Sequence, residues 1–259
     1  MKTPVYYVNL AREKFRIKNK ESDTTLARSL PLNISSPTLL GAKLDVDFLP
    51  PSVGAGSMLD VSAGLGEPLN VIISGKSSSE VLTDDGFLNW ARSIGFSHEF
   101  LGLHSGDPQT ANLGDGNGPL PEIKVIRQNF NIPIIGTGIE SLIGGNHFRY
   151  WRQNGAKGNT GALFLAVSHE ENVLKHHDIS VGGYDLGRDE LVAKAVGKTS
   201  FLGVQYSTTA KKIQGLLPAG ANGINHGIVI DGDVYLLTIT IEKGRRFPFV
   251  FPLMKGGHH

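Results

Sequence analysis

From Leu69 onward the chain is broken into short apolar or alternating runs, joined mostly by connections too short for a helical crossover. This pattern limits the possible folds more than any other feature. Asn70-Val71-Ile72-Ile73-Ser74 reads as a buried strand, and further strands are expected at 98–104, 122–130, 146–153 and 161–168. Gly223 to Ile230 and Asp233 to Ile241 read as a hairpin on Asp231-Gly232, the dipeptide favoured in type I′ turns. Helical spacing is confined to two places. Ser77-Ser78-Ser79-Glu80 offers a capping box, with Phe87, Leu88, Trp90, Ala91 and Ile94 following up to Gly95. Arg188 to Val196 forms a short helix stopped by Gly197. Strands outnumber helices, so the expected class is α+β, with a mainly antiparallel sheet and a few short helices. The 33 glycines among 259 residues agree with many turns.

The first part of the chain reads differently. Residues 11–28 are charged and helix-compatible, whereas 29–68 are loop-rich, with Pro31, Pro37, Pro50 and Pro51. One short alternating strand, Lys43 to Phe48, interrupts them. The expected organisation is a single domain over 68–255, with residues 1–67 as an N-terminal extension packed on it. Gly256-Gly257-His258-His259 resembles a truncated affinity tag. Hydrophobic residues at 40% and charged residues at 19% describe a globular chain. A net charge of +1 gives no overall pull toward nucleic acid, and no nucleic-acid partner is expected. The absence of Cys excludes disulfides, thiolate metal sites and a Cys nucleophile. No apolar run reaches the ~18–20 residues that span a bilayer, and Met1 to Tyr7 carries no signal-peptide core.

Four of the nine histidines fall between Asn146 and Glu190, among a dense set of Arg and Asp. Such groups are costly to bury unpaired, so their concentration points to a polar site. Alternation puts His147, Arg149 and Trp151 on one strand face, with Phe148 and Tyr150 on the other. If Phe148 and Tyr150 face the core, the trio lines a solvated face or a cleft. A His and an Arg at that spacing can hold an anion. Of the adjacent His176 and His177, only one can join a given site, and His177 is preferred. Asp185 has an ordinary role available, capping the helix and pairing with Arg188 or Arg149. A divalent metal on His147, His177 and a carboxylate has no HxxxH or HxH spacing behind it, so the cofactor is left open and a metal is not favoured. Gly114-Asp115-Gly116-Asn117-Gly118 could bind phosphate or Ca²⁺, but a plain turn is the better reading. His226 is expected opposite Leu237, as a neutral core histidine.

Three stretches carry a family resemblance. They are Asn70 to Gly75 with the helix after it, His147-Phe148-Arg149-Tyr150-Trp151, and His176-His177-Asp178 through Gly187-Arg188-Asp189. In them the chain resembles the LssY C-terminal domain family. It is more similar still to a group of fungal proteins sharing Ala111 to Gly118, Glu140 to Arg149 and Gly161 to Ser168. The likeness covers roughly residues 68–197. It implies that the strand of His147 and Arg149, with His177, Asp185, Arg188 and Asp189, forms a shared polar site. The bacterial domain accompanies membrane proteins with a phosphatidic-acid-phosphatase-like part, which bears on this chain by analogy alone. The fungal proteins look secreted, so a secreted mature chain is favoured over a cytoplasmic one. They carry a Cys near Gly138 that this chain lacks.

The expected function is therefore a small-molecule enzyme of hydrolytic type, acting on an anionic or phosphorylated substrate. His147 or His177 would serve as general base or acid, and Arg149 and Arg188 would hold the anion, with Trp151 beside them. Asp185 or Asp189 would orient a histidine or arginine. The alternative is a non-catalytic module binding a lipid headgroup, glycan or peptide on the same face. A third reading makes the Arg/Asp/His set a paired network fastening the helix to the sheet.

Overall fold

Three residues, Val71–Ile73 (β1), hold the middle of the sheet and are buried on both faces. The computed structural model describes residues 41–61, 64–98, 108–129, 144–171 and 178–243. The chain divides into two units, Met1–Pro37 and Thr38–His259, and every described residue belongs to the second. After β1 come α1 (Asp84–Ser93), β2 (Phe96–His98), β3 (Thr110–Asn112), β4 (Pro119–Pro121) and β5 (Lys124–Gln128). Then follow β6 (Gly145–Arg152), β7 (Leu163–Glu170), α2 (Gly183–Ala195), β8 (Gly197–Phe201), β9 (Val204–Ile213) and β10 (Val234–Lys243). Eight strands in the order β2-β5-β6-β7-β1-β10-β9-β8 make a curled half-barrel, and β3 pairs separately with β4. All neighbours in the large sheet are antiparallel except β1 and β10. The α+β class with a mainly antiparallel sheet is the one the alternating runs imply.

The two faces of the sheet bury separate cores. On one, Val71 and Ile73 meet Phe148, Tyr150, Leu165 and the α1 residues Phe87 and Trp90. Phe87 is the hub, with ring centroids 5.5 Å from Trp90, 4.8 Å from Tyr150 and 6.0 Å from Phe148. On the other, Ile72 meets Phe164, Trp151, Tyr184 and Leu236, with Met58 and Leu69 from the preceding segment.

Three local expectations change. The cap of α1 is Thr83, whose Oγ1 accepts the Gly86 N–H at 3.1 Å. Ser77 and Ser78 instead accept the N–H groups of Ile239 and Ile241, which β1 is too short to reach. Lys43 to Phe48 is not a strand; Leu44 donates to the Asn159 carbonyl, and Asp47 accepts from the Ser74 hydroxyl. Residues 223–230 are not a strand either. Asn225–Gly227 is a 3-10 turn with exposed His226 at φ 58, and β10 pairs with β9 across a long connection. Gly232 does have positive φ, +81, but Asp231 does not, so the turn is not type I′. Its carboxylate accepts the Asp233 N–H at 2.8 Å, an Asx-type turn that offers the backbone a different stable path.

The second helix starts earlier than its apolar spacing suggests. Gly183 and Gly187 let it lie directly on β7: a Cβ at position 187 would come within 2.6 Å of the Ser168 backbone. Asp185 thus sits in the first turn rather than at the cap.

Candidate functional site

Alternation along β6 works as the spacing requires. Phe148 and Tyr150 enter the α1 core, while His147, Arg149 and Trp151 share the opposite face. Pairing then brings charged neighbours beside them. Arg127 of β5 and Ser168 of β7 both oppose His147, and Glu170 of β7 opposes Gly145, on the same face. This face is buried, not solvated: His147 is 0% and Arg149 8% exposed. The segment before β1 covers it, with Met58 and Leu69 packed in the Trp151 core and Glu67 reaching Arg149.

The contacts form one ionic cluster. Arg149 Nη1 lies 3.2 Å from Glu67 Oε2 and 3.3 Å from His147 Nε2, and Arg149 Nε is 4.0 Å from Glu122 Oε1. His147 Nε2 is also 3.3 Å from Glu170 Oε1 and from the Ser168 hydroxyl. Arg127 Nη1 donates to Glu170 Oε2 at 2.9 Å. Asp60 and Glu67 form a tight backbone pair. The Glu67 N–H donates to Asp60 Oδ1 at 2.6 Å, and the Asp60 N–H donates to the Glu67 carbonyl at 3.0 Å.

Burial sets the protonation pattern. It pushes Asp60 up to about 8; Glu67 adds to the rise, and Arg149 opposes it. At neutral pH Asp60 therefore carries its proton. Burial pulls the His147 imidazole down to about 3 against the pull of Glu170, with Arg149 and Arg127 adding to the fall. His147 is neutral. Burial pushes Glu170 up, yet His147 and Arg127 hold it below the usual range. With the imidazole uncharged, the Arg127 guanidinium is the effective cause. Glu67 then balances Arg149, and Glu170 balances Arg127.

Several buried polar atoms here have no hydrogen-bond partner: Asp60 Oδ2, His147 Nδ1, the Tyr184 hydroxyl, and Arg149 Nε, which has only the longer ionic contact to Glu122. Tyr184, from α2, is electrostatically coupled to Glu67, Asp60 and Arg149. Buried polar atoms are nearly always bonded in folded proteins, so four in one cluster is unusual.

The remaining expected site residues stand elsewhere. Arg188, 1% exposed, forms a second hub. It donates to Asp189 at 2.8 Å, Asp185 at 3.2 Å, Asp231 at 2.6 and 2.9 Å and the Asp233 carbonyl at 3.0 Å. Tyr235 lies under its guanidinium, at 5.6 Å. Asp185 and Asp189 thus hold Arg188, not a histidine, and Arg149 pairs with Glu67 rather than with either aspartate. Trp151 donates to the Leu120 carbonyl at 3.0 Å and lines a pocket of about 130 Å³ with Leu120, Pro121 and Asn154. A larger groove of about 580 Å³ runs between Gln128, His169, Glu190 and Lys194. His177 lies outside the described residues. Among those described, no three His, Asp or Glu side chains group to hold a metal ion. The Asp115 carboxylate accepts N–H groups of Asn117, Asn154 and Gly155, which makes its glycine-rich loop a structural turn.

Asp60, Glu67, Arg127, Glu170 and Tyr184 escape the sequence reading. Extending the β7 alternation two residues past Ser168 would have placed Glu170 with His147. Nothing in the loop-rich pattern around Asp60 marks it. Fold and cluster together define an α+β half-barrel with a charged, buried sheet face. No protein-family model, curated protein or solved structure matches the chain.

Proposed function

We propose that this chain is a small-molecule enzyme of hydrolytic type, centred on Arg149, whose substrate carries an anionic or phosphoryl group. The observation behind this reading is that four buried atoms of this cluster, Arg149 Nε among them, have no hydrogen-bond partner. A substrate oxygen at Arg149 Nε would gain a charge-assisted hydrogen bond in a site of low dielectric. His147 contributes a neutral ring whose Nδ1 has no hydrogen-bond partner and could bond a substrate atom, as donor or acceptor according to the tautomer. Arg188, Asp185 and Asp189 act in this reading as a clamp joining α2 to the turn before β10.

The test is thermal unfolding with inorganic phosphate, phenyl phosphate, glucose and divalent ions, on wild type and Arg149→Lys. Phosphate and phenyl phosphate should raise the melting temperature of the wild type alone, since Lys lacks the planar fork. A flat response to every compound would sink the proposal. A structural reading has its own support, because Arg149 is already paired with Glu67 and His147 is fully buried. Under it the cluster fastens the segment before β1 to the sheet and binds nothing.

A further inference from the structure

We propose that the groove between α2 and the adjoining ends of β5, β6 and β7 binds a free amino acid, with Lys194 and Gln128 holding its carboxylate and Glu190 its ammonium group. The groove lies on the Phe148 side of β6, opposite the face of Arg149, and does not depend on the hydrolytic reading.

Strand pairing builds the floor. Phe96 opposes Gln128, and Asn146 opposes His169; with Arg127 opposite His147, Gln128 and Asn146 are the next step of the same ladder. The four residues make one row across β2, β5, β6 and β7, about 14 Å long at the usual strand spacing. Asn146 fastens the row to the helix above it. Its N–H donates to Gln128 Oε1 and its side-chain amide to Glu190 Oε2, both at 3.4 Å, and the amide also donates to the Gly187 carbonyl at 2.7 Å. α2 therefore sets Glu190 over the middle of the row. One turn on, Lys194 lies over the Phe96 end, with Nζ 5.4 Å from the ring centroid.

Several groups on this row are left open to a ligand. Among the described residues, Lys194 Nζ has no hydrogen-bond or ion-pair partner and only the Phe96 ring in contact. Gln128 uses only its carbonyl end, and His169 only Nδ1, 3.3 Å from the Ser180 hydroxyl. Glu190 keeps its second oxygen. Residues four apart on a helix commonly pair. Here Glu190 turns to Asn146 and Lys194 to Phe96, so a cation and a carboxylate stand along one wall without neutralising each other. Burial holds the Lys194 ammonium below its ordinary range, opposed by Glu190 alone, and a bound carboxylate would supply the nearer counter-ion.

The order of the charges selects the ligand. A simple anion is drawn to Lys194 and repelled by Glu190, and a simple amine meets the reverse. A zwitterion satisfies both. Its carboxylate takes the Lys194 ammonium and the Gln128 amide N–H, its ammonium group donates to Glu190, and its side chain runs toward His169. The unpartnered Nε2 of His169 favours a polar side chain there. A volume of about 580 Å³ is ordinary for a small-molecule site.

Isothermal titration of the full chain with L-serine, L-asparagine, L-glutamine and L-histidine tests the proposal. At least one should bind. Its methyl ester and its N-acetyl derivative each lack one charge and should bind at least about 10-fold more weakly. Lys194→Met keeps the stem over Phe96, and Glu190→Gln can still accept from Asn146; each should weaken binding by a similar factor. Binding by none of the four overturns the proposal. An N-acetyl derivative as tight as the free amino acid overturns the role of Glu190. A methyl ester as tight, or unchanged affinity in Lys194→Met, overturns that of Lys194.

Discussion

Arg149 Nη1 lies 3.2 Å from Glu67 Oε2, a pairing between positions 82 apart that ties the segment before β1 to the middle of β6. Both side chains are buried. Removing one leaves the other charged, dehydrated and without its counter-ion, which is far more damaging than losing an exposed pair.

Arg149→Ala should therefore destabilise the protein by about 3–5 kcal/mol in urea unfolding. Arg149→Lys keeps the charge but loses the fork, so its loss should be smaller. Glu67→Gln should also destabilise. A cost below about 1 kcal/mol in Arg149→Ala would show that the pair is solvated in solution.

Two buried groups give opposite pH slopes. The folded chain keeps the Asp60 proton up to about 8 against an ordinary value of 3.8. Its contribution is fully present below 3.8 and is lost as pH rises through that window. His147 has an ordinary value of 6.5 and a folded value of about 3, so its contribution is present above 6.5 and lost as pH falls toward 3. Unfolding free energies measured from pH 4 to 8 should rise less steeply toward low pH in Asp60→Asn than in wild type. In His147→Gln the acid-side loss should shrink. Parallel curves for all three proteins would contradict both protonation states.

The Arg188 hub gives a separate expectation. Arg188→Ala leaves three aspartates facing one another, but these are partly exposed and can rehydrate. The loss should be about 1.5–3 kcal/mol, smaller than at Arg149. Arg188→Lys should recover little, because one ammonium cannot serve Asp185, Asp189 and Asp231 together. Full recovery by Lys would refute the fork geometry.

At Gly232 the backbone has φ +81, and an added Cβ would sit 2.8 Å from the Leu217 carbonyl oxygen. Gly232→Ala should cost about 1–3 kcal/mol through strain and crowding. An unchanged melting temperature would mean that the turn relaxes freely.

What the sequence could and could not disclose follows from how far each residue's partners lie. The split of His147, Arg149 and Trp151 from Phe148 and Tyr150 needs only the two-residue period of a strand, and it holds. Which groups meet His147 and Arg149 depends on pairings with β5 and β7 and on the cover from Met58, Glu67 and Leu69, none of which a local pattern encodes. The hairpin at Asp231-Gly232 failed for a physical reason. Arg188, 43 positions earlier, binds the Asp231 carboxylate, and that tertiary bond competes with the local turn preference. Lys43 to Phe48 alternates like a strand yet pairs with no strand among the described residues, and its backbone bonds elsewhere.

The one parallel pairing among the described strands also bears on how the chain reaches this fold. β1 has only three residues, yet it stands between β7 and β10 and joins the four-strand and three-strand parts of the sheet. Its partner β10 is the last of the described strands in chain order, and the Ser77–Ile239 bond beside it closes a separation of 162 positions. The entropy of closing so long a loop must be lost before the seam gains any contacts, which makes this topology slow to form. A ribosome-bound chain that stops before Val234 would expose the open flank of β1. Until β10 arrives, that flank is the place where one nascent copy could capture another.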